Sequence, residues 1–489
     1  MRTYRALAGD PKPAYDVVVI GAGIGGLICA GLLARAGVKV LLVEQHYMVG
    51  GYCSTFRRGA YTFDAATHFY PLLGNPMTIT GAVLEKLGSR TRWVKMDPVD
   101  HFHFADGSSF SVSADFDEYM DALKATFPHE ADALDRFFAT VRDGYLYGLL
   151  YYFRGRRHDR LDPLVNLSLH EVLEREFRDP KLRLLLSADC AHWGSRPSRT
   201  SFVFDSMLRL SYFLGNYYPE GGSQAFADDL ARIVQEAGGD ILMRSMVDRI
   251  VVEHGRAVGV EIATGLGDAR HTVRVNAGHI VSNADLKLTI EQLLGPALAG
   301  EEAIRQVRSL RPTSPCFLVH LGLRDVPLSA LESKTGYHWR SWNSEEVVYD
   351  AFKIFVPTMY EPKMAPPGGQ VIILQRIMEI GYDRIADWAA HKMRVEDDLV
   401  ARLEAVIPGV SEHIVTRQSA SALTSWRFTL NLQGAMLGWE MSPGQLGDTR
   451  PPIEGPVGNL YLCGHWTRPG GGITPVIVSA VDVVQRIAG

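Results

Sequence analysis

Cysteine is scarce in this chain: 489 residues hold five, at positions 29, 53, 190, 316 and 463. They are odd in number, scattered, and never spaced as Cys-x-x-Cys. That argues against a disulfide framework and a zinc site, and fits a reducing cytoplasm. A basic excess is missing too, since 50 Lys and Arg face 55 Asp and Glu for a net charge of −5. Without a positive field there is no reason to expect nucleic acid. There is no HExxH, no Walker loop, no GxSxG elbow and no ordered metal-ligand cluster. His101 and His103 alternate along a predicted strand and read as a surface pair, because no third ligand stands near. The stretch MRTYRALAGDPKPAYD has no apolar run of signal-peptide length, and neither repeats nor low-complexity segments occur. The rest is ordinary globular composition, 46% apolar and 21% charged, in a chain long enough for two or three domains.

Long hydrophobic runs are also few. One uncharged stretch, residues 17–34, covers 18 positions, close to the length of roughly 20 residues that a membrane span needs. Its glycines decide against a span. Gly21, Gly23, Gly25 and Gly26 directly follow Val17-Val18-Val19-Ile20, a β-branched run suited to a buried parallel strand. Helical spacing follows to Gly37, and then VKVLLVE reads as a second strand ending in Glu44. Strand, glycine turn, helix and strand form a βαβ unit carrying Gly21-x-Gly23-x-x-Gly26. The first glycine permits a tight turn, the second lets backbone approach a pyrophosphate, and the third lets helix pack on strand. The helix N-terminus offers unpaired N–H groups to the phosphates, and Glu44 lies where a carboxylate reaches an adenosine ribose. The run is a phosphate-binding turn.

Directly after Glu44 stands QHYMVGGYCSTFRRGAYTFDAATHFY, with the pair Gly50-Gly51. Further on come PEGGSQAFADDLARIVQEAGGDI, MVDRIVVEHGRAVGVEIATG and the C-terminal NLYLCGHWTRPGGGITPVIVSAVDVVQRIAG. Together these resemble the flavoprotein superfamily of amine oxidases, phytoene desaturases, carotenoid isomerases and retinol saturases. The likeness runs from Tyr15 to about Gly489 and is weakest between Phe104 and Tyr218. The segment after Glu44 is nearer to the isomerases and saturases than to the amine oxidases. The resemblance implies FAD, with backbone at Gly50 and Gly51 passing alongside it and Val247 touching the adenine side. It further implies a closing motif of Gly464, His465, Gly471, Gly472 and Ile473 against the flavin. His465 stands where many relatives place an acid for the ribityl chain. The expected fold class is α/β: a Rossmann-like FAD-binding domain of the glutathione-reductase and amine-oxidase type, interleaved with a mixed-sheet substrate domain and a helical subdomain.

Motifs at both ends and in the middle must meet at one cofactor. The FAD domain is therefore assigned to 1–75, 219–290 and 440–489, the substrate domain to 76–112 and 291–439, and the helical subdomain to 113–218. SPCFLVHLGL, FKIFVPTM and GQVIILQRI read as strands, and Asp117 marks an acidic first helical turn. RFFATVRDGYLYGLLYYFRGRR and FVFDSMLRLSYFLGNYY are dense in aromatics, the first closed by Arg154, Arg156 and Arg157. They suit either helices lying in a membrane interface or core helices whose rings line a long apolar tunnel.

Flavin chemistry on an unactivated carbon pair requires hydride transfer and a relayed proton. By resemblance Asp64, His68 and Tyr70 lie on the substrate side of the flavin, with Asp64 or His68 as acid–base group. Trp466, Thr467 and Arg468 face the same region. No second Gly-x-Gly-x-x-Gly follows a strand, so the electron acceptor is expected to be external, a quinone or dioxygen. Three readings follow. The first is an FAD-dependent oxidoreductase of a lipophilic polyene or isoprenoid, working by desaturation, isomerisation or saturation. The second is an FAD-dependent oxidase of an amine or other small molecule, and the third a non-catalytic prenyl binder. The expected setting is cytoplasmic, with peripheral contact on the inner face of a membrane.

Overall fold

The computed structural model describes residues 4–265, 269–379 and 381–489, with the side chains of Arg154 and Tyr382 left out. The first three residues of the N-terminal stretch thus lie outside it. The β-branched run forms the strand Ala14–Ile20, central in a parallel sheet. Val17 lies opposite Val40 of Val40–Val43 on one side and opposite His279 of His271–Ser282 on the other. Asp240–Leu242 extends the sheet beyond Val40–Val43, and Leu460–Leu462 pairs with the end of His271–Ser282, both parallel. Three distant parts of the chain therefore end their strands along one edge, where sheets of this kind bind ligands. The expected strand pair is present as Met246–Glu253 and Arg256–Thr264, an antiparallel meander leading into His271–Ser282.

The helices Ile24–Arg35, Ser223–Glu236 and Ile473–Ala488 cover one face, packing Leu27, Phe226 and Ile477 with Val17, Val19 and Leu42. Ten of the 12 residues of Ile24–Arg35 are buried, so its apolar composition reflects an interior helix. No described helix is long and apolar enough to cross a membrane.

A second sheet runs in the order Ile414–Ala420, Cys316–Arg324, Gly369–Ile377, Phe352–Phe355, Gly336–His338, Asp100–His103, Ser109–Val112. The three strands read from sequence lie within it. Period-2 alternation divides its faces. Phe317, Val319, Leu321 and Leu323 pack with Leu399 and Leu403 of the helix Trp388–Val406. Cys316 and Leu318 point the other way, into a cavity.

Residues 113–218 are mostly helical, as expected. Asp115 caps Phe116–Thr126, accepting from the N–H groups of Asp117 and Glu118. Ala131–Arg154 lies close against Phe202–Ser211 because Gly144 and Gly148 bear no side chain. A Cβ there would meet Ser206 Oγ at 2.7 Å and Val203 Cγ1 at 2.6 Å. The segment ends in a strand, Asn216–Pro219, paired with Tyr70–Pro71 and Trp93–Lys95. A helix cannot continue there, because Pro219 disfavours helical backbone at Tyr218.

Candidate functional site

The glycine turn has the geometry its spacing demands. Gly21 takes φ +93°, a conformation side chains disfavour, and a Cβ on Gly26 would stand 2.0 Å from the Gly21 carbonyl oxygen. Gly23 caps Ile24–Arg35 without any side-chain hydrogen bond, which leaves the first-turn N–H groups open to an anion. Gly50 makes a parallel bridge to Gly23, and a Cβ on Gly51 would lie 3.4 Å from Gly23 Cα. Two backbone segments thus run side by side with no side chain between them.

Glu44 is buried beside this turn. Its Oε2 accepts from the Ala22 N–H at 2.7 Å and its Oε1 from the His46 N–H at 2.8 Å. Burial pushes its carboxyl up, opposed by those N–H bonds. Each oxygen keeps a lone pair for a ribose hydroxyl. Val247 lines the same end. From the other side come Gly464 at φ +99°, Gly472 at φ +98°, and Gly471, where a Cβ would stand 2.2 Å from the Leu437 carbonyl oxygen. His465 and Ile473 also line the groove. Burial, with Arg450 adding to it, pushes the His465 imidazole down to about 3, so it is neutral. Arg450 is fully buried and donates to the carbonyls of His465 at 2.8 Å and Thr467 at 3.2 Å, which holds the closing loop in shape. The residues fit a dinucleotide: a groove stripped of Cβ atoms, an uncapped helix N-terminus and a carboxylate with free lone pairs.

Sequence reasoning missed Asn283. Its side chain lies against Gly23, Gly25 and Gly464, with Oδ1 only 2.7 Å from where a Gly464 Cβ would stand. The signal was its place just after His271–Ser282, a third parallel strand ending on the ligand edge.

The groove opens into one cavity of about 630 Å³. Its far half is walled by Tyr145, Leu149 and Phe153 of Ala131–Arg154, by Phe204 and Met207 of Phe202–Ser211, and by Leu318 of the second sheet. The aromatic helices thus line the cavity, which is one of the two readings and does not exclude the other. Asn75, Met77, Ile79 and Leu214 complete the wall at an edge where Met77 is 91% exposed.

Of the three residues expected on the substrate side, only His68 reaches the cavity. Its Nδ1 lies 2.9 Å from the Ala66 carbonyl oxygen. A carbonyl only accepts, so Nδ1 carries the proton. The ring stacks on Phe355 at 4.4 Å. Burial and the nearby Lys353 charge push it down to about 3, which makes it a weak base. Asp64 is a correction. It is fully buried behind the wall, where it accepts from the Ser223 N–H at 2.9 Å and from the Tyr218 hydroxyl. Its carboxylate ties the hairpin Thr55–Arg58 and Tyr61–Asp64 to the start of Ser223–Glu236. Tyr70 is another, since its hydroxyl donates to Ser223 Oγ at 2.7 Å and its ring packs in the core beneath the first sheet. Trp466 packs on Trp439 at 4.7 Å, and Thr467 and Arg468 spend their side chains on carbonyls of residues 448–452. None of these three lines the cavity.

Fold and groove define a class, the dinucleotide-binding proteins. Comparison narrows it: the model of the flavin-containing amine oxidoreductase family matches residues 24–488, and the chain belongs to that family. It is 26% identical over 507 residues to the chloroplastic prolycopene isomerase of Daucus carota, covering 97% of this chain and 80% of the relative. Against the lycopene-forming phytoene desaturase of Pseudescherichia vulneris it is 27% identical over 491 residues, covering 95% and 97%. Among solved structures, an oxidoreductase from Methanosarcina mazei superposes with a TM-score of 0.68 at 19% identity, covering 96% and 99%. Wild-type putrescine oxidase bound to putrescine gives 0.66 at 15% identity, covering 97% and 100%. The fold is shared across both. The protein is a flavin oxidoreductase and its cofactor is FAD.

Proposed function

We propose that this enzyme acts on a long apolar polyene or isoprenoid of the carotenoid type, by desaturation or by flavin-assisted cis–trans isomerisation. The observation that carries the reading is the continuity of the cavity, from the glycine turn into a half walled by aromatic and aliphatic side chains. Two similar proteins are named for such polyenes, the prolycopene isomerase and the phytoene desaturase. Among the described lining residues the only carboxylates are Glu44 and Asp285, both at the cofactor end. An ammonium group would therefore meet no counter-charge in the far half.

In this reading the N–H groups around Gly21, Gly23 and Gly25 hold the pyrophosphate and Glu44 holds the ribose. Gly26 serves only the packing. Val247 borders the adenine. Gly50, Gly51, Gly464, His465, Gly471, Gly472 and Ile473 enclose the flavin end. Bound there, FAD supplies two-electron hydride chemistry. The far half excludes water and aligns a chain that has no polar handle, with His68 at its edge. Electrons leave to an external acceptor, a quinone or dioxygen. Met77 at 91% exposure, Ile79 at 48% and Leu214 at 43% give the cavity an apolar rim. That rim suits peripheral contact with the inner face of a membrane, from which the substrate enters.

The test is anaerobic: the flavin spectrum is followed while candidate polyenes in detergent are added. Bleaching of the oxidised band establishes desaturation. An unchanged spectrum, with altered double-bond geometry only on pre-reduced enzyme, establishes isomerisation. Silence in both states overturns the polyene reading in favour of a small-molecule oxidase.

A further inference from the structure

A second histidine, His192, faces the same cavity, on the short helix Cys190–Trp193. Behind it lies a group of buried charges. Its Nε2 stands 3.2 Å from Asp100 Oδ2 and 4.0 Å from Asp189 Oδ1, without hydrogen-bond alignment to any partner. Asp100 is held by Lys353 Nζ at 2.6 Å, and Lys353 also lies 4.5 Å over the Tyr337 ring. Asp189 meets Arg209 at 3.4 Å, while Asp205 binds Arg209 through Nε at 3.0 Å and Nη2 at 2.9 Å. All five of these ionic side chains are at most 10% exposed.

The cluster is one cation short: three carboxylates, Asp100, Asp189 and Asp205, face two cations, Lys353 and Arg209. Buried charge is tolerated when it is balanced. The remaining basic group at the cluster is His192, whose Nε2 stands on the carboxylate side. The Tyr212 and Tyr337 rings lie 6.2 and 5.3 Å from the His192 ring, and their hydroxyls are buried without partners. Between Asp100, Asp189, His192 and Tyr212 lies a void of about 10 Å³, room for roughly one water. Phe69 packs on His192 at 4.7 Å, and His68 is the other titratable group nearby. His192 lines both this void and the large cavity.

We infer that His192, set between the cavity and the buried carboxylates of Asp100 and Asp189, is the group that exchanges a proton with the substrate carbon. This rests on the polyene reading. In desaturation one carbon gives its hydride to the flavin. His192 takes a proton from the neighbouring carbon, and the electron pair of that C–H bond becomes the new π bond. In the reverse direction His192 returns the proton to the carbon next to the one that receives hydride. His68 is the weaker candidate of the two, because burial and the nearby Lys353 charge push it down to about 3.

The experiment uses the flavin-loaded full chain and a polyene that bleaches or isomerises on the wild type. Polyene binding is followed by its spectral shift, and single-turnover rates are taken across pH. His192→Gln is expected to bind flavin and polyene as the wild type does and to slow the turnover about 100-fold, the lower range for acid–base catalysis. Its rate should also lose the acid limb. Asp100→Asn, which keeps the ring but removes the charge beside it, slows turnover less. Should His192→Gln not fold, His192→Ala with added imidazole replaces it, where rescue supports the assignment and its absence overturns it. A His192→Gln rate within about threefold of wild type with its acid limb intact overturns the proton role and leaves the polyene reading standing. A wild type inert to every polyene overturns both.

Discussion

The two halves of the cavity are built by opposite means. The cofactor half is made of backbone: Gly21, Gly50, Gly464 and Gly472 at positive φ, bare helix N–H groups, and one carboxylate held by the N–H groups of Ala22 and His46. The far half is made of side chains, drawn from Ala131–Arg154, Phe202–Ser211 and a strand of the second sheet. At Gly26, Gly50 and Gly471 the groove admits no added atom, since a Cβ would strike main chain that cannot step aside. A side-chain wall admits changes of volume, because rotamers yield, but it rejects unpaired charge. The fixed cofactor and the variable substrate are thus held by parts with different tolerance.

The largest effect should come from breaking the first half by one methyl group. Gly26→Ala places a Cβ 2.0 Å from the Gly21 carbonyl oxygen. The helix must move off the strand or the turn must open, and either removes the phosphate seat. Purified Gly26→Ala is expected to carry at least about tenfold less flavin per chain than wild type and to lose on the order of 3 kcal/mol of stability. Absorbance ratios and urea unfolding measure both. A yellow, stable Gly26→Ala protein would show that this glycine does not set the packing.

The same contrast explains what could be read in advance. The glycine fingerprint and Glu44 were legible because their constraint is local: a turn, a strand before it, a helix after it, and an acid at the end of the next strand. The far half was not, because Tyr145, Phe204 and Leu318 become neighbours only when three separate segments fold together. Sequence marked residues 136–157 as aromatic but not which rings look inward, and glycines at 144 and 148 decide that by seating one helix on another. His192 went unremarked, its meaning depending on Asp100 and Lys353, 92 and 161 residues away. Asp64 was misplaced for a related reason. Nearness in sequence to the flavin segment located its backbone, while strand alternation and Tyr218 turned its carboxylate inward.

A smaller change should break the second half alone. Leu149 projects from Ala131–Arg154 into the cavity. Leu149→Trp fills space without touching the groove, so flavin content and unfolding midpoint should stay near wild type. Polyene binding should weaken at least about tenfold, as overfilled pockets do. Equal loss of flavin and polyene would show that the halves are not separable.

The finest test concerns Asp64, which stands outside both halves. Burial raises its carboxyl from an ordinary 3.8 to about 6, against the opposing bonds from Tyr218 and Ser223. The folded chain therefore holds this proton more tightly than the unfolded one. The stabilisation is fully present below pH about 4 and is lost as pH rises through about 6. Proton binding tighter by roughly a hundredfold corresponds to about 3 kcal/mol. Asp64→Asn keeps an acceptor for the Ser223 N–H and cannot titrate. Measured by urea unfolding, Asp64→Asn should gain about 3 kcal/mol on wild type between pH 4 and pH 8. Its flavin content and single-turnover rate should be unchanged, because nothing on this carboxylate faces the cavity. A turnover defect with unchanged stability would return Asp64 to the chemistry and move the proton away from His192.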